Sequence, residues 1–192
     1  MPRSPQSTRT TELSWQLRVE LLDVSPRVWR RLLVPETITL PKLDRVIQAA
    51  LGWANSHLHE FIICGVRYSV PDPSFAKELG HVDEKGVTLS QALGPNARSF
   101  DYVYDFGDDW HHVVLVEDQH ATGAGAIRCT GGENACPPED VGGPHGYEQF
   151  LEAIADPNHE EHRDFLRWAG GAFDPSNLDI NAINSALAKI GR

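Results

Sequence analysis

The sequence predicts an α+β fold in a single domain, with an antiparallel sheet built from hairpins, packed against helices, and a helical C-terminal part. Apolar and polar residues alternate strictly along residues 13–21, which is typical of a strand with one buried face. Aromatic and β-branched runs at 100–105 and 110–117 flank a Gly/Asp turn, which indicates a hairpin. Helical spacing comes mostly after the strands, which favours α+β over a parallel βαβ arrangement.

The first three elements follow from local signals. The Ser25-Pro26 turn separates the first strand from an apolar run at 28–34, so we expect these two strands to pair as a hairpin. Thr39 is a suitable N-cap for a helix that runs through residues 42–51, and Gly52 is suited to end it.

The rest of the chain is predicted in larger blocks. Residues 58–70 indicate a strand or hairpin with a bend at Gly65, and residues 71–98 are expected to be mostly loop with a short helix at 89–93. The Gly/Pro-rich stretch 129–147 is expected to lack regular structure. Three helical segments are predicted after it, at 146–155, 159–169 and 179–189.

One domain is expected at residues 13–190, after a disordered leader at residues 1–12. The leader is rich in Pro, Ser and Thr and lacks the apolar core of a signal peptide. No window has the ~18 consecutive apolar residues of a membrane span, so we expect no membrane partner. The chain of 192 residues has only three cysteines, which predicts a reducing, cytoplasmic setting.

The net charge of −10 is concentrated in one part of the chain. Residues 99–164 hold 15 acidic and two basic residues, giving −13, together with six of the nine histidines. Binding to phosphate backbones rewards clustered Lys and Arg, so we do not expect direct nucleic-acid binding. The acidic side is either a solvated face or a surface that binds a cation or a protein partner.

Several uncommon strings resemble the plasmid pRiA4b ORF-3-like family over roughly residues 13–188. They include SPRVWRR at 25–31, TLPKL at 39–43, ALGW at 50–53, SHLHEF at 56–61, YDFGDDW at 104–110 and PPEDVGG at 137–143. The resemblance implies a single α+β domain. It also implies a plasmid or transposon association, with some members labelled resolvase-like or TnpR-like, and it supplies no established activity.

The resolvase-like label can be compared with the chemistry of recombination. A DNA recombinase surrounds the scissile phosphate with positive charge and attacks it with an activated Ser or Tyr. Here Arg27, Arg30 and Arg31 lie on a predicted strand without a recognisable nucleophile motif, and the acidic block would repel DNA. We expect Arg30 and Arg31 to lie on a solvated or ion-paired face of the sheet.

The hairpin turn holds the first candidate binding site. Its residues offer carboxylate and imidazole ligands for Mg²⁺, Mn²⁺ or Zn²⁺, or a surface for a partner. Alternation along the strand allows only one of His111 and His112 to share a face with Asp109. The alternative is that Asp108 and Asp109 are tight-turn residues that tolerate unusual backbone angles and bond to backbone N–H groups. The candidates are Asp105, Asp108, Asp109, Trp110 and His112.

His57 and His59 form a second candidate, because an H-x-H pair on a strand places both imidazoles on one face. Cys129 and Cys136 are candidates to complete a Zn²⁺ site with them, although their separation is wider than that of a zinc ribbon or finger. Helix capping or hydrogen bonding in a polar core would explain the histidines as well.

The loop at 129–143 supplies the last candidates, Glu139 and Asp140. Prolines stiffen this loop, so its carboxylates would be held in defined positions, suited to a cation or a basic partner. Capping of the next helix is the alternative.

We therefore expect an accessory domain, not an enzyme, that binds a protein partner or a cation through its acidic side. The alternative is a metal-dependent hydrolase or nuclease with one or two divalent ions. Its site would use Asp105, Asp108, His112, Glu139 and Asp140.

Overall fold

The computed structural model describes residues 13–71, 80–122 and 126–191, which form eight strands and five helices. The predicted leader at 1–12 lies outside the described residues. In chain order the elements are β1 Leu13–Leu21, β2 Val28–Pro35, α1 Leu40–Leu51, β3 His59–Ile63, β4 Val66–Ser69, β5 Val82–Asp83, α2 Leu89–Leu93, β6 Ser99–Tyr104, β7 Trp110–Thr122, β8 Arg128–Glu133, α3 Gly143–Ala155, α4 His162–Trp168 and α5 Ile180–Ile190.

All eight strands belong to one sheet with the order β5-β4-β3-β6-β7-β1-β2-β8. The predicted hairpins β1–β2, β3–β4 and β6–β7 are present, and the prediction of an α+β domain with an antiparallel sheet is confirmed. The exception is the short pair β4–β5, which is parallel.

Helix α1 packs its predicted apolar stripe into the core, where Leu43, Val46 and Ile47 are fully buried. The same helix also carries two polar residues inward, because Asp44 and Gln48 are each only 2% exposed. Their spacing of four residues places both on one side of the helix. The core beside α1 therefore contains a polar region.

The prediction that residues 129–147 lack regular structure is wrong at both ends. Strand β8 covers Arg128–Glu133 and pairs with β2, and α3 already begins at Gly143. Close packing explains why Gly132 lies in this strand, because a Cβ at that position would be 2.8 Å from the carbonyl oxygen of Trp29. Residues 134–142 remain a loop.

The two neighbouring arginines of β2 lie in different environments. Arg31 is ion-paired with Glu117, with 2.6 Å between Nε and Oε2, as predicted for a sheet face. Arg30 was predicted on that face, but it is buried and donates to the carbonyl oxygens of Trp29, Ala50, Glu133 and Asn134. Arg30 thereby ties the end of α1 to the end of β8.

The C-terminal helices make two separate sets of contacts. Phe150 of α3 makes edge-to-face contacts with Phe165 and Trp168 of α4. Helix α5 packs on α1 and β8, where the Asn184 amide accepts from Cys129 N at 2.8 Å and donates to Cys129 O at 2.9 Å. Helices α3, α4 and α5 were all predicted, with boundaries that differ by at most three residues. No helix in the described ranges is long and apolar enough to cross a membrane.

Candidate functional site

Three loops converge near one end of the sheet: residues 53–58 before β3, residues 105–109 between β6 and β7, and residues 134–142 before α3. They contain five of the seven non-glycine residues with left-handed φ values found in the described chain. These five are Asn55, Asp105, Asp109, Asn134 and Asp140. Only Asn and Asp are used, the residue types that tolerate this backbone conformation best. Such strained conformations concentrate at functional sites.

His57, Asp105 and Asp140, here called the His57 cluster, come one from each loop. The Nε2 atom of His57 lies 2.8 Å from Oδ1 of Asp140 and 3.6 Å from Oδ2 of Asp105. Each residue offers one ligand atom, and these atoms all lie within 4.8 Å of one another. Asp105 is buried at the base, while Asp140 is exposed at the rim. Both carboxylates therefore converge on a single ring nitrogen.

Tyr104 and Glu139 support the loop that carries His57. The Tyr104 hydroxyl donates a short hydrogen bond to Glu139 and accepts from the backbone N–H groups of Ser56 and His57 at 3.0 and 3.3 Å. Burial and the bond to Glu139 raise the pKa of Tyr104 well above its ordinary value. Glu139 also accepts from Ala54 N at 2.7 Å. Glu139 thus joins two of the three loops.

The aspartates of the hairpin turn are held by backbone groups. Asp105 Oδ1 accepts from Gly107 N at 2.9 Å, and Asp108 Oδ2 accepts from Gly142 N at 3.1 Å. A Cβ at Gly143 would lie 2.3 Å from the carbonyl oxygen of Asp108, so only glycine fits against this turn. The turn is thereby fixed against the start of α3.

A second group, Asp44, His59 and Glu84, lies in the core and is called the His59 cluster. His59 Nδ1 is 3.3 Å from Oδ1 of Asp44, and His59 Nε2 is 3.0 Å from Oε2 of Glu84. All three residues are buried. Tyr102 donates to Asp44 at 2.7 Å and accepts from Gln48 at 2.8 Å. Here the two carboxylates engage opposite nitrogens of the ring.

The electrostatics of the His59 cluster favour a protonated imidazole. Burial alone lowers the pKa of His59, but the hydrogen bond to Glu84 and the charges of Asp44 and Glu84 outweigh it, so the pKa is raised. Burial raises the pKa of Asp44 despite the opposing effect of His59. Where both carboxyl groups are ionised, each ring nitrogen must donate, and only the imidazolium has a donor on both.

The structure separates His57 from His59, which were predicted to share one strand face. Strand β3 begins at His59, so His57 lies in the preceding loop and reaches a different pair of carboxylates. At the end of α1 the backbone N–H of Gly52 donates to Gln48 O. This capping hydrogen bond involves neither histidine. The H-x-H motif therefore supplies one histidine to each cluster.

Several candidate residues lie away from the His57 cluster. Trp110 and His112 are buried in the core, and Asp109 pairs with His111, 2.9 Å between Oδ1 and Nε2, instead of with His112. Cys129 donates to Gly131 O, and Cys136 lies near Arg30. In the part of the chain that the structure describes, neither cysteine joins a group of three metal-ligating side chains.

His112 illustrates a buried histidine with no carboxylate partner among its described contacts. Its Nδ1 lies 3.1 Å from the carbonyl oxygen of Tyr102, which can only accept, so Nδ1 carries the proton. Burial lowers the pKa of His112 to about 4. A neutral ring therefore packs edge-on against Trp53, with 5.5 Å between the ring centroids.

Glu139 and Asp140 were expected either to hold a cation or partner or to cap the next helix. The N-cap of α3 is Gly142, with no side-chain cap hydrogen bond. Glu139 instead contacts Tyr104 and Ala54, and Asp140 contacts His57. The observed contacts therefore do not support the capping explanation.

Sequence reasoning missed Asp44, Glu84 and Tyr104. Asp44 lies in an amphipathic helix, where a charged residue ordinarily marks the solvated face, and Glu84 lies within residues 71–98, which were expected to be mostly loop. The aromatic and β-branched run around Tyr104 predicted a strand but carried no signal for its hydroxyl contacts. The sequence patterns did not predict which residues of the three loops have left-handed backbone conformations. The one related signal is that these residues are Asn or Asp.

The comparisons with known proteins agree with this architecture. An uncharacterized protein, y4hQ, of Sinorhizobium fredii is 42% identical over 175 residues, covering 90% of this chain and 89% of the relative. A crystal structure of a protein of unknown function from Methanosarcina mazei matches with a TM-score of 0.79 at 34% identity, covering 90% of this chain and 98% of that one. The sequence profile of the plasmid pRiA4b ORF-3-like proteins matches residues 14–182. The chain therefore belongs to the plasmid pRiA4b ORF-3-like family.

Proposed function

We propose that this chain is an accessory protein that binds a divalent transition-metal cation, Zn²⁺ or Mn²⁺, through His57, Asp105 and Asp140. The proposal is carried by one observation: these residues, from three separate loops, offer ligand atoms within 4.8 Å of one another. One imidazole and two carboxylates form a ligand set that suits Zn²⁺ and Mn²⁺. Calcium, in contrast, is typically bound by oxygen ligands alone.

The surroundings of the His57 cluster support the same proposal. Asp105 is oriented by Gly107 N, and the backbone of His57 is held by Tyr104, so two of the three ligands have fixed outer partners. The acidic block at 99–164 would favour accumulation of cations near the site. A cation would enter the site at its exposed rim, where Asp140 lies.

The cellular role is proposed from the family and the charge. We propose that this chain is a cytoplasmic accessory protein of plasmids or other mobile elements, like the family members labelled TnpR-like. We propose that it does not bind nucleic acid directly. A basic surface for DNA would require clustered Lys and Arg. In this chain Arg30 is engaged by backbone carbonyls and Arg31 by Glu117.

A metal-dependent hydrolase or nuclease is the alternative. Three protein ligands leave coordination positions for water, as that chemistry requires. Three other members of its expected set are engaged elsewhere, because Asp108 binds Gly142 N, Glu139 binds Tyr104 and His112 is buried. The contacts therefore favour the accessory role.

The test uses untagged full-length protein, since a histidine tag would itself bind metal. Isothermal titration with Zn²⁺ and with Mn²⁺ is expected to give one site, with an affinity at least tenfold weaker in Asp105→Asn and His57→Ala. The matched control is Asp109→Asn, which removes a carboxylate from the exposed His111 pair in the same hairpin turn.

Two outcomes would count against the proposal. Zinc binding that is unchanged in Asp105→Asn, or lowered equally in Asp109→Asn, would show that the His57 cluster is not the site. Turnover of bis(p-nitrophenyl) phosphate by the Mn²⁺-loaded protein, abolished by Asp105→Asn, would replace the accessory role by the hydrolase.

A further inference from the structure

A cleft next to the His57 cluster combines negative charge with exposed aromatic surface. Its volume is about 330 Å³, and we call it the Trp168 cleft. It lies between α4 and the end of the loop before α3. Its lining residues are Asp140, Val141, Glu161, Asp164, Phe165 and Trp168.

The aromatic side of the Trp168 cleft is held in place but left uncovered. Phe165 and Trp168 each contact Phe150 of α3 edge-on, at centroid distances of 5.6 and 5.9 Å. Trp168 is nevertheless 48% exposed, and α4 has no buried residue. Exposed tryptophan on a half-packed helix is typical of a binding surface.

The charge of the cleft specifies the kind of ligand. Three carboxylates line it, from Asp140, Glu161 and Asp164. Asp164 pairs with Arg167 at 3.0 Å, where both side chains are largely exposed, and Asp140 contacts His57 at 2.8 Å. An exposed pair of this kind contributes little and can exchange partners. The cleft thus offers acceptors and an aromatic ring to a cation.

We propose that the Trp168 cleft binds an arginine side chain of a basic protein partner. A guanidinium group stacks on an aromatic face while it donates two parallel hydrogen bonds to a carboxylate, which matches this combination of groups. A volume near the lower limit of small-ligand sites accommodates one such side chain. The inference goes beyond the proposed metal site, with which it shares only Asp140.

The test follows the tryptophan indole N–H signals of ¹⁵N-labelled full-length protein by NMR. The chain has five tryptophans, and Trp168→Phe identifies the signal of Trp168. Addition of a tetra-arginine peptide is expected to shift that signal in a saturable way. A tetra-lysine peptide is expected to bind at least threefold more weakly, because ammonium cannot form the bidentate contact.

Two matched double variants distinguish binding in the Trp168 cleft from general electrostatic attraction of the peptide. Glu161→Gln with Asp164→Asn is expected to weaken tetra-arginine binding at least tenfold. Glu148→Gln with Glu152→Gln, which removes the same charge from exposed positions on α3, is expected to change it less than twofold. The remaining indole signals report whether each variant is folded.

Three results would overturn the inference: no shift of the Trp168 signal, equal weakening in the two double variants, or equal affinity for the two peptides. The metal proposal is tested separately, because Asp105→Asn should remove zinc binding and leave the affinity for tetra-arginine unchanged. Failure of one proposal is therefore distinguishable from failure of the other.

Discussion

The His57 and His59 clusters have nearly the same composition and opposite properties. Each contains one histidine and two carboxylates, and the histidines are two residues apart. In the His57 cluster both carboxylates approach Nε2 at an accessible site, whereas in the His59 cluster they engage different ring nitrogens inside the core. Acceptors that converge on one nitrogen can share a cation, whereas a ring placed between two carboxylates is stabilised in its own cationic form. The positions of the carboxylates around the imidazole ring therefore determine whether the cluster is suited to bind a metal ion or forms a structural ion pair.

The largest effect is expected from His59→Gln. Removing the imidazolium leaves the carboxylates of Asp44 and Glu84 buried without a cation, so the free energy of unfolding should fall by about 3–5 kcal/mol. His57→Gln, at a half-exposed site, should change it by at most about 1 kcal/mol. Urea unfolding at pH 7 measures both. Equal losses in the two variants would remove the distinction between the clusters.

The pH dependence separates the two buried histidines, which both contact Tyr102. Because the pKa of His112 is lowered to about 4, its contribution is present above its ordinary pKa of 6.5 and is lost as pH falls through about 4. That contribution reaches about 3 kcal/mol. His59, with a raised pKa, contributes below pH 6.5 and loses this contribution as pH rises through its folded value.

Ring ¹⁵N chemical shifts of histidine, followed from pH 4 to pH 9, give the measurement. We expect His59 to remain an imidazolium to higher pH than a free histidine and His112 to remain neutral almost to pH 4. A neutral His59 ring at pH 6 would contradict the ion-pair description.

Metal binding should stabilise the protein only through the His57 cluster. Zinc at 100 times its dissociation constant is expected to raise the free energy of unfolding by about 2.7 kcal/mol. Asp105→Asn should abolish this increment, and Asp109→Asn should retain it. Unfolding in urea with and without zinc measures it. An increment that persists in Asp105→Asn would place the metal elsewhere.

Tyr104→Phe tests the support of the His57 loop. The variant removes the donor to Glu139 and the acceptor for Ser56 N, and should cost about 2 kcal/mol in unfolding free energy. It should also weaken zinc binding, since the His57 backbone loses an acceptor. Titration calorimetry beside urea unfolding gives both quantities. Zinc binding equal to wild type would show that this support is structural alone.

The smallest effect is expected from His111→Gln. His111 pairs with Asp109 on the surface without a second carboxylate among its described contacts, so the free energy of unfolding should change by less than about 0.5 kcal/mol. A larger loss, measured by urea unfolding, would mean that an isolated histidine–carboxylate pair in this turn is structurally important.

The sequence patterns predicted the sheet-forming hairpins and all five helices to within a few residues, because alternation and helical spacing report burial directly. They failed at β8, where Gly132, a residue type that normally marks a loop, is required by the close approach of the Trp29 carbonyl oxygen. For the site, His57, Asp105 and Asp140 were each identified, and Asp105 was grouped with Asp140 in the hydrolase alternative, but His57 was not grouped with them. That grouping depends on three loops meeting through left-handed residues and long-range contacts such as that of Glu139 with Ala54.

The contact between Asn184 and Cys129 has a consequence for association between molecules. Strand β8 is an edge of the sheet, and an open edge is a template for strands from other chains. The Asn184 amide occupies both the donor and the acceptor of Cys129, as a residue of an incoming strand would. Helix α5 therefore acts as a cover against aggregation at this point, and its removal would leave the edge free to recruit further copies of the chain.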